Sequence, residues 1–140
     1  MIIEERVLDL LTLGGFTGAF NDYRARAQPA PIAQLFYFDE VEVPANTRIL
    51  TIRSTGSAGG NKYVQNIPVS IIFAGKQNKS DAATVADYGD RIITHFLEVR
   101  ENCGIIEISS INANPTIMYS DSGRPLVELQ CIVKIDRGIS

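Results

Sequence analysis

The 140-residue chain has very few of the side chains from which catalytic and metal sites are usually built, with one histidine and two cysteines. A general base needs an orienting carboxylate and a nucleophile beside it, and no Ser or Cys motif identifies a nucleophile for His95. No His or Cys stands at metal-ligand spacing either. We therefore predict no metal, no cofactor and no enzymatic activity. We expect a structural or solvent-facing role for His95 and free structural thiols at Cys103 and Cys131.

Long apolar runs and an excess of positive charge are also missing. No stretch approaches the roughly 20 consecutive apolar residues that span a bilayer. The first residues, Met1–Leu11, mix acidic with apolar side chains instead of showing the basic start of a signal peptide. Thirteen Lys and Arg against sixteen Asp and Glu give a formal net charge of −3, which argues against a dedicated nucleic-acid binder. We expect a cytoplasmic protein with no membrane partner and no specific nucleic-acid partner.

A glycine-rich stretch that contains a lysine, Gly56–Lys62, invites comparison with the loops that cradle phosphate. It fails that pattern because Asn61 separates Gly60 from the lysine, and because Tyr63 occupies the position of the Ser or Thr that would hold magnesium. The pattern of a strand, not of a helix, follows it. We predict a mobile surface loop, with ordering on a partner as the alternative.

Two segments have the three- and four-residue periodicity of amphipathic helices. The first covers Ile3–Leu11, and Gly14–Gly15 is expected to end it. The second runs from Lys79 to Glu101, and Ser80 or Asp81 is the candidate cap. The apolar stripe of this second helix is predicted to contain Val85, Tyr88, Ile92, Ile93, Phe96, Leu97 and Val99.

Period-2 alternation predicts several strands. Leu35–Val43 begins with a compact aromatic run, for which core packing is preferred over a base-stacking platform. In Tyr63–Ala74, Pro68 removes a backbone donor, which favours an edge strand or a bulge at that point. The segment between Phe16 and Pro31 is ambiguous between a short helix and an ordered loop. Further strands are predicted at Arg48–Arg53 and Ile105–Ile111.

The clearest strand pattern is that of Leu126–Asp136, near the end of the chain. A polar turn, Asp121–Pro125, precedes it, and Gly123 can adopt a positive φ there at no steric cost. This predicts a β-hairpin with a loop of about five residues. The apolar face of the strand is predicted to consist of Val127, Leu129, Cys131, Val133 and Ile135.

The element order is helix, three strands, long helix and three strands. This order predicts a single domain, 1–140, of the α+β class with two layers. One layer is an antiparallel or mixed β-sheet, and the other holds a long central helix and an N-terminal helix.

The second half of the chain resembles the small tail-terminator and minor capsid proteins of tailed bacteriophages. The resemblance covers roughly residues 64–136: a strand at Ile67–Phe73, a long helix, and then Asn114–Arg124 with its Asp-x-Gly-Arg turn before the alternating strand. It implies a structural virion protein that forms a ring, commonly six-membered in such families, which caps the tail tube. The implied partners are further copies of itself, the major tail tube protein and a head-completion protein. The implied locations are the host bacterial cytoplasm during assembly and then the virion tail.

Alternative interpretations are another head–tail connector or tail tube component, and a small α+β ligand-binding module.

Arg48 and Arg53 are expected to pair with Glu40 or Glu42 across strands, or to reach an acidic surface on a neighbouring subunit. An edge strand, either the run with Pro68 or Leu35–Val43, is the favoured means of joining subunits, although the proline could equally block pairing. The residues predicted to contact subunits or partners are Arg48, Arg53, Gly59, Gly60, Lys62, Pro68, Asp121 and Arg124.

Overall fold

The computed structural model describes residues 2–54, 59–60, 64–98, 105–109, 111–112 and 116–136. Its helices are α1 (Ile3–Leu13) and α2 (Ala82–Leu97), and a short 3-10 turn, Lys79–Asp81, leads into α2. In chain order the strands of the described part are β1 (Phe20–Asn21), β2 (Ala27–Gln28), β3 (Ile32–Leu35), β4 (Ile49–Ser54), β5 (Gly59–Gly60), β6 (Val64–Ala74), β7 (Ile105–Ser109), β8 (Met118–Tyr119) and β9 (Pro125–Asp136).

The main sheet has the strand order β3-β4-β6-β9-β7, with β5 beside β6 and β8 beside β9. Its longest ladder joins β6 to β9 over the whole length of β6, from Val64 opposite Asp136 to Ala74 opposite Leu126. The pair β3–β4 is parallel, and the other pairs among the described residues are antiparallel. The mixed sheet with its helices confirms the predicted α+β class.

Both helices pack against one face of this sheet. Leu10 and Leu11 of α1 and Tyr88 and Phe96 of α2 are at most 2% exposed and belong to one apolar core with the strands. Burying side chains of this size contributes about 1.5–3 kcal/mol each. On the side of the sheet, the predicted apolar face of β9 is confirmed, and its members Val127, Leu129, Cys131, Val133 and Ile135 are all buried.

The long helix differs in two details from its prediction. Leu97 is 67% exposed, because each residue turns the helix by about 100° and Leu97 lies beyond the edge of the buried stripe. Asp81 stands at the N-cap position of α2 but its side chain caps no helix N–H. Asn78 instead accepts a hydrogen bond from the Ser80 N–H at the 3-10 turn. Residue Val99, predicted for the stripe, lies outside the described residues.

Pro68 lies in a central strand, so the prediction of an edge strand was wrong. β6 pairs with β4 on one side and with β9 on the other, and the ladder to β9 runs through Pro68 opposite Ile132 without a bulge. On the other side of β6, the pairing with β4 ends at Val69 and the pairing with β5 begins at Asn66. The proline therefore falls where the described ladders on that side are interrupted, and a missing N–H is tolerated there.

The predicted strand Leu35–Val43 was also wrong, since β3 ends at Leu35 and Phe36 adopts a φ of 80°. Gln34 explains the change of direction: its side-chain amide donates to the Asp39 carbonyl at 2.6 Å and accepts from the Asp39 N–H at 3.0 Å. The Asp39 carboxylate in turn accepts from the Val41 N–H at 3.0 Å. Such side-chain bonds to the backbone compete with strand pairing. Core packing of the aromatic run holds for Leu35, which packs against the core, but was wrong for Phe36 and Tyr37, which are 56% and 66% exposed.

The hairpin before β9 has the predicted form. Met118 and Tyr119 pair with Leu126 and Pro125, which leaves five residues in the loop. The Gly123 N–H donates to the Ser120 carbonyl at 2.9 Å, and Gly123 has a φ of 85°. Only a residue without a Cβ adopts this conformation at no cost, so the turn is encoded locally.

Candidate interaction surfaces

Arg124, the last residue of that turn, is fully buried. Its Nη1 donates to the carbonyls of Thr47 at 2.5 Å and Gly75 at 3.0 Å. Its Nη2 donates to the carbonyls of Val43 at 3.1 Å and Pro44 at 2.9 Å. A buried guanidinium is stable only when its donors find acceptors. One arginine therefore holds the loop before β4, the end of β6 and the β8–β9 turn together.

Glu40 completes the Arg124 cluster from the side of the turn. Its Oε1 accepts hydrogen bonds from the Ser120 hydroxyl at 2.8 Å and from the Ser122 hydroxyl, and it lies 3.4 Å from the Arg124 Nε. Burial opposes ionisation of this carboxyl, but the hydroxyls of Ser122 and Ser120 and the charge of Arg124 lower the pKa of Glu40 below its ordinary value. The ionised carboxylate therefore stabilises the folded turn.

A second buried cluster surrounds Arg48, which is 4% exposed. Its Nε and Nη2 donate to the two carboxylate oxygens of Asp81 at 3.0 and 2.7 Å, and its Nη1 donates to Gln28 at 2.9 Å. Asp81 also accepts from the Lys76 N–H at 2.8 Å. This paired geometry explains why Asp81 caps no helix, since its oxygens are used by the arginine.

The predicted pairing of Arg48 and Arg53 with Glu40 or Glu42 was therefore wrong. Arg53 pairs with Glu128 at 2.7 Å, and the Ser70 hydroxyl donates to the same carboxylate oxygen at 2.8 Å. Glu40, predicted for these arginines, is paired with Arg124 instead. Each of these ion pairs joins segments far apart in the sequence, so spacing along the chain could not identify them.

His95 and Cys131 have structural surroundings. The Nε2 of His95 lies 3.0 Å from the Leu10 carbonyl, and its ring lies 5.4 Å from that of Phe16, so it connects α2 with the end of α1. Burial raises the pKa of the Cys131 thiol to about 12, which removes the reactive thiolate at neutral pH. Cys103 lies outside the described residues. Within those residues, no group of three His, Cys, Asp or Glu side chains is placed to hold a metal ion.

The ambiguous segment after α1 forms an ordered hairpin, β1–β2, and not a helix. Asp22, 3% exposed, organises its tip by accepting from the N–H groups of Arg24 and Arg26, both at 2.9 Å, and from the Arg26 Nε at 2.9 Å. Despite its burial, these hydrogen bonds, with the charge of Arg26, lower the pKa of Asp22. Tyr23 is 44% exposed, and the Arg24 guanidinium lies 5.3 Å from its ring centroid. We call Tyr23, Arg24 and Arg26 the tip surface.

A second exposed surface lies between β3 and the β8–β9 turn. Its apolar members are strongly exposed, Tyr37 by 66% and Val41 by 87%. Three exposed acids, Asp39, Glu42 and Asp121, accompany them, and Asp39, Val41 and Asp121 line a depression of about 380 Å³ together with Leu126. We call this set the loop surface; its members are Tyr37, Asp39, Val41, Glu42 and Asp121.

The eight predicted contact residues do not come together in one place. Asp121 is exposed in the β8–β9 turn, whereas Arg48 and Arg124 are inside the chain and Pro68 is half-buried in the sheet centre. Gly59 and Gly60 pair through their backbone with Asn66 and Gln65, and Arg53 keeps a side chain that is 40% exposed. Lys62 and most of the glycine-rich stretch lie outside the described residues. The sequence analysis missed the tip surface, although an Asp followed by two arginines in a non-periodic segment could have indicated a turn.

The fold is an α+β body in which Arg48 and Arg124 pair with acids inside the chain, and its exposed apolar and charged side chains include those of the tip and loop surfaces. None of the helices in the described part is both long and apolar enough to cross a membrane. The chain belongs to the phage tail terminator family, because a family model described as phage tail termination protein matches residues 9–137. The match confirms the resemblance and extends it into the N-terminal half. A comparison with curated proteins gives no match.

Proposed function

We propose that this protein ends the phage tail by forming a ring, six-membered as the resemblance implies, that caps the tail tube and joins it to the head. The observation that carries the proposal is the family match over residues 9–137. The proposed partners are further copies of the chain, the major tail tube protein and a head-completion protein. Assembly would take place in the cytoplasm of a bacterium that carries the phage or its prophage.

The distribution of charge inside the molecule supports a role in assembly. Arg48 donates three hydrogen bonds and Arg124 four to neighbours in the same chain, and their partners Asp81 and Glu40 also accept hydrogen bonds within it. These groups stabilise a rigid body instead of facing a substrate. A cyclic ring needs two different surfaces on each subunit, and the tip and loop surfaces are two such candidates.

The predicted contact residues now divide into two groups. Asp121, Arg53, the Gly59–Gly60 pair and Lys62 are retained as proposed contacts, because the exposed turn and the partly exposed arginine can meet another chain. Arg48, Pro68 and Arg124 would act indirectly, through the shape of the body that they stabilise. The edge strands β3 and β7 of the described sheet replace the two runs that the sequence suggested for edge pairing.

Deletion of the gene from its phage tests the function by electron microscopy of the particles. We expect tails of variable length that carry no heads, and restoration of both properties when the gene is supplied in trans. Tails of uniform length without heads would instead identify a head–tail connector, and a complete lack of tails would identify a tube component. A normal yield of infectious particles would leave the small ligand-binding module as the better interpretation.

A further inference from the structure

We propose that neighbouring copies join when the tip surface of one copy docks against the loop surface of the next. The inference rests on the proposed function, in which copies of the chain form a ring. It goes beyond that function because it assigns the two faces of the contact to named side chains.

The tip surface is a preformed anchor. Asp22 binds two backbone N–H groups of the turn, and Ala25 holds a φ of 60°, so the tip has a defined conformation before any partner arrives. Tyr23 and Arg24 project from it, and Arg24 makes no ion pair with any described residue. Tyr and Arg are the residue types enriched at the centres of interfaces. A rigid turn loses little entropy on binding.

The loop surface is complementary to this anchor in charge and in polarity. Glu42 and Asp121 are exposed, and neither forms an ion pair within the described part of the chain. Val41 beside them is 87% exposed. Single exposed apolar residues are normal, but here Val41 lines the same depression as Asp121. An arginine with an aromatic neighbour fits a depression that offers acids and apolar area together.

The two surfaces lie on opposite faces of the sheet. The Phe20 ring of β1 lies edge-on to Tyr88 of α2, with centroids 4.8 Å apart, so the tip belongs to the helix layer. Leu126, which lines the depression, alternates with Val127, and Val127 is part of the core beneath the helices. The depression is therefore on the other face. The two surfaces of one copy therefore do not contact each other. Each copy can present its tip surface to one neighbour and its loop surface to the other, as a heterologous interface requires.

Charge reversal at exposed positions tests the pairing in full-length protein. The tip variant is Arg24→Glu, the loop variant is Glu42→Lys with Asp121→Lys, and the combined variant carries all three changes. The mass of each protein is measured by analytical ultracentrifugation over a range of concentrations, both alone and with isolated tail tubes. We expect each separate variant to raise the dissociation constant between copies at least about tenfold, and the combined variant to assemble again.

Matched controls carry the same changes of charge on α1, whose Glu4 accepts a hydrogen bond from Ser54 at the opposite end of β4 from Arg48. They are Arg6→Glu for the tip variant and Glu5→Lys with Asp9→Lys for the loop variant, and both should assemble like the wild type. Melting temperatures of the tip, loop and combined variants should equal that of the wild type, because the reversed side chains are exposed.

The outcomes separate this inference from the proposed function. Wild-type protein that remains a single copy, alone and on tail tubes, would overturn the ring and the inference with it. A wild-type ring that survives both reversals, or a combined variant that stays dissociated, would overturn the surface pairing and leave the ring. Loss of tube binding by the loop variant alone, with copies still joined, would assign the loop surface to the tube protein and also overturn the pairing.

Discussion

Replacement of Arg124 by methionine should remove the side chain on which three segments depend. The buried guanidinium donates four hydrogen bonds to main-chain carbonyls between 2.5 and 3.1 Å and lies 3.4 Å from the Glu40 carboxylate. Methionine fills much of the same space but donates nothing, so the carbonyls and the carboxylate lose their partner. Removing one member of a buried ion pair costs about 3–5 kcal/mol, a large share of a typical stability of about 5–15 kcal/mol.

Urea unfolding, followed by circular dichroism, measures this loss of stability. The matched control is Arg53→Met, because Arg53 also pairs with a glutamate but has a side chain that is 40% exposed. For a pair exposed to that degree we expect a loss of about 0–1 kcal/mol. The reasoning would be refuted if Arg124→Met lost no more stability than Arg53→Met. It would also be refuted if Arg124→Lys, which keeps the charge but not the fork of donors, were as stable as the wild type.

Three further predictions concern groups inside the fold. Val133→Asp places an unpaired charge at a fully buried position and should abolish the folded state; an unchanged melting point would contradict the assigned strand face. The pKa of Glu40 is lowered in the folded protein. Its carboxylate therefore stabilises the fold fully above the ordinary pKa of a glutamate, and this stabilisation is lost as the pH falls through the lowered pKa of the folded state. Wild type should therefore exceed Glu40→Gln in melting temperature at pH 7, and this difference should shrink with acidification below pH about 4. In a Cys103→Ser background, Cys131 should resist alkylation at pH 8 until the protein unfolds, because burial raises its pKa to about 12; rapid reaction of folded protein would count against its burial.

The elements that could be predicted from the sequence are those whose signal is local. The alternation of Leu126–Asp136, the helical stripe from Val85 to Phe96 and the turn at Gly123 each depend on residues within a few positions of one another. A period of two or of 3.6 places apolar side chains on one face wherever the element is packed. The failures at Leu97 and Leu35–Val43 lie at element ends, where one side-chain bond such as that of Gln34 to Asp39 decides the direction of the chain.

Only the tertiary structure decided which strands are central and which charges are inside. Pro68 lies in the middle of the sheet, where the described ladders of β4 and β5 leave a gap opposite it, and nothing in the sequence of β6 indicates that gap. Arg48 meets Asp81 across 33 positions, and Arg124 reaches Thr47 across 77. The local sequence by itself determined the two helices and the last hairpin, and it contains no recognisable catalytic motif. The buried arginine clusters and the two outward surfaces arise from packing, because distant charges find each other only after the sheet has brought their segments together.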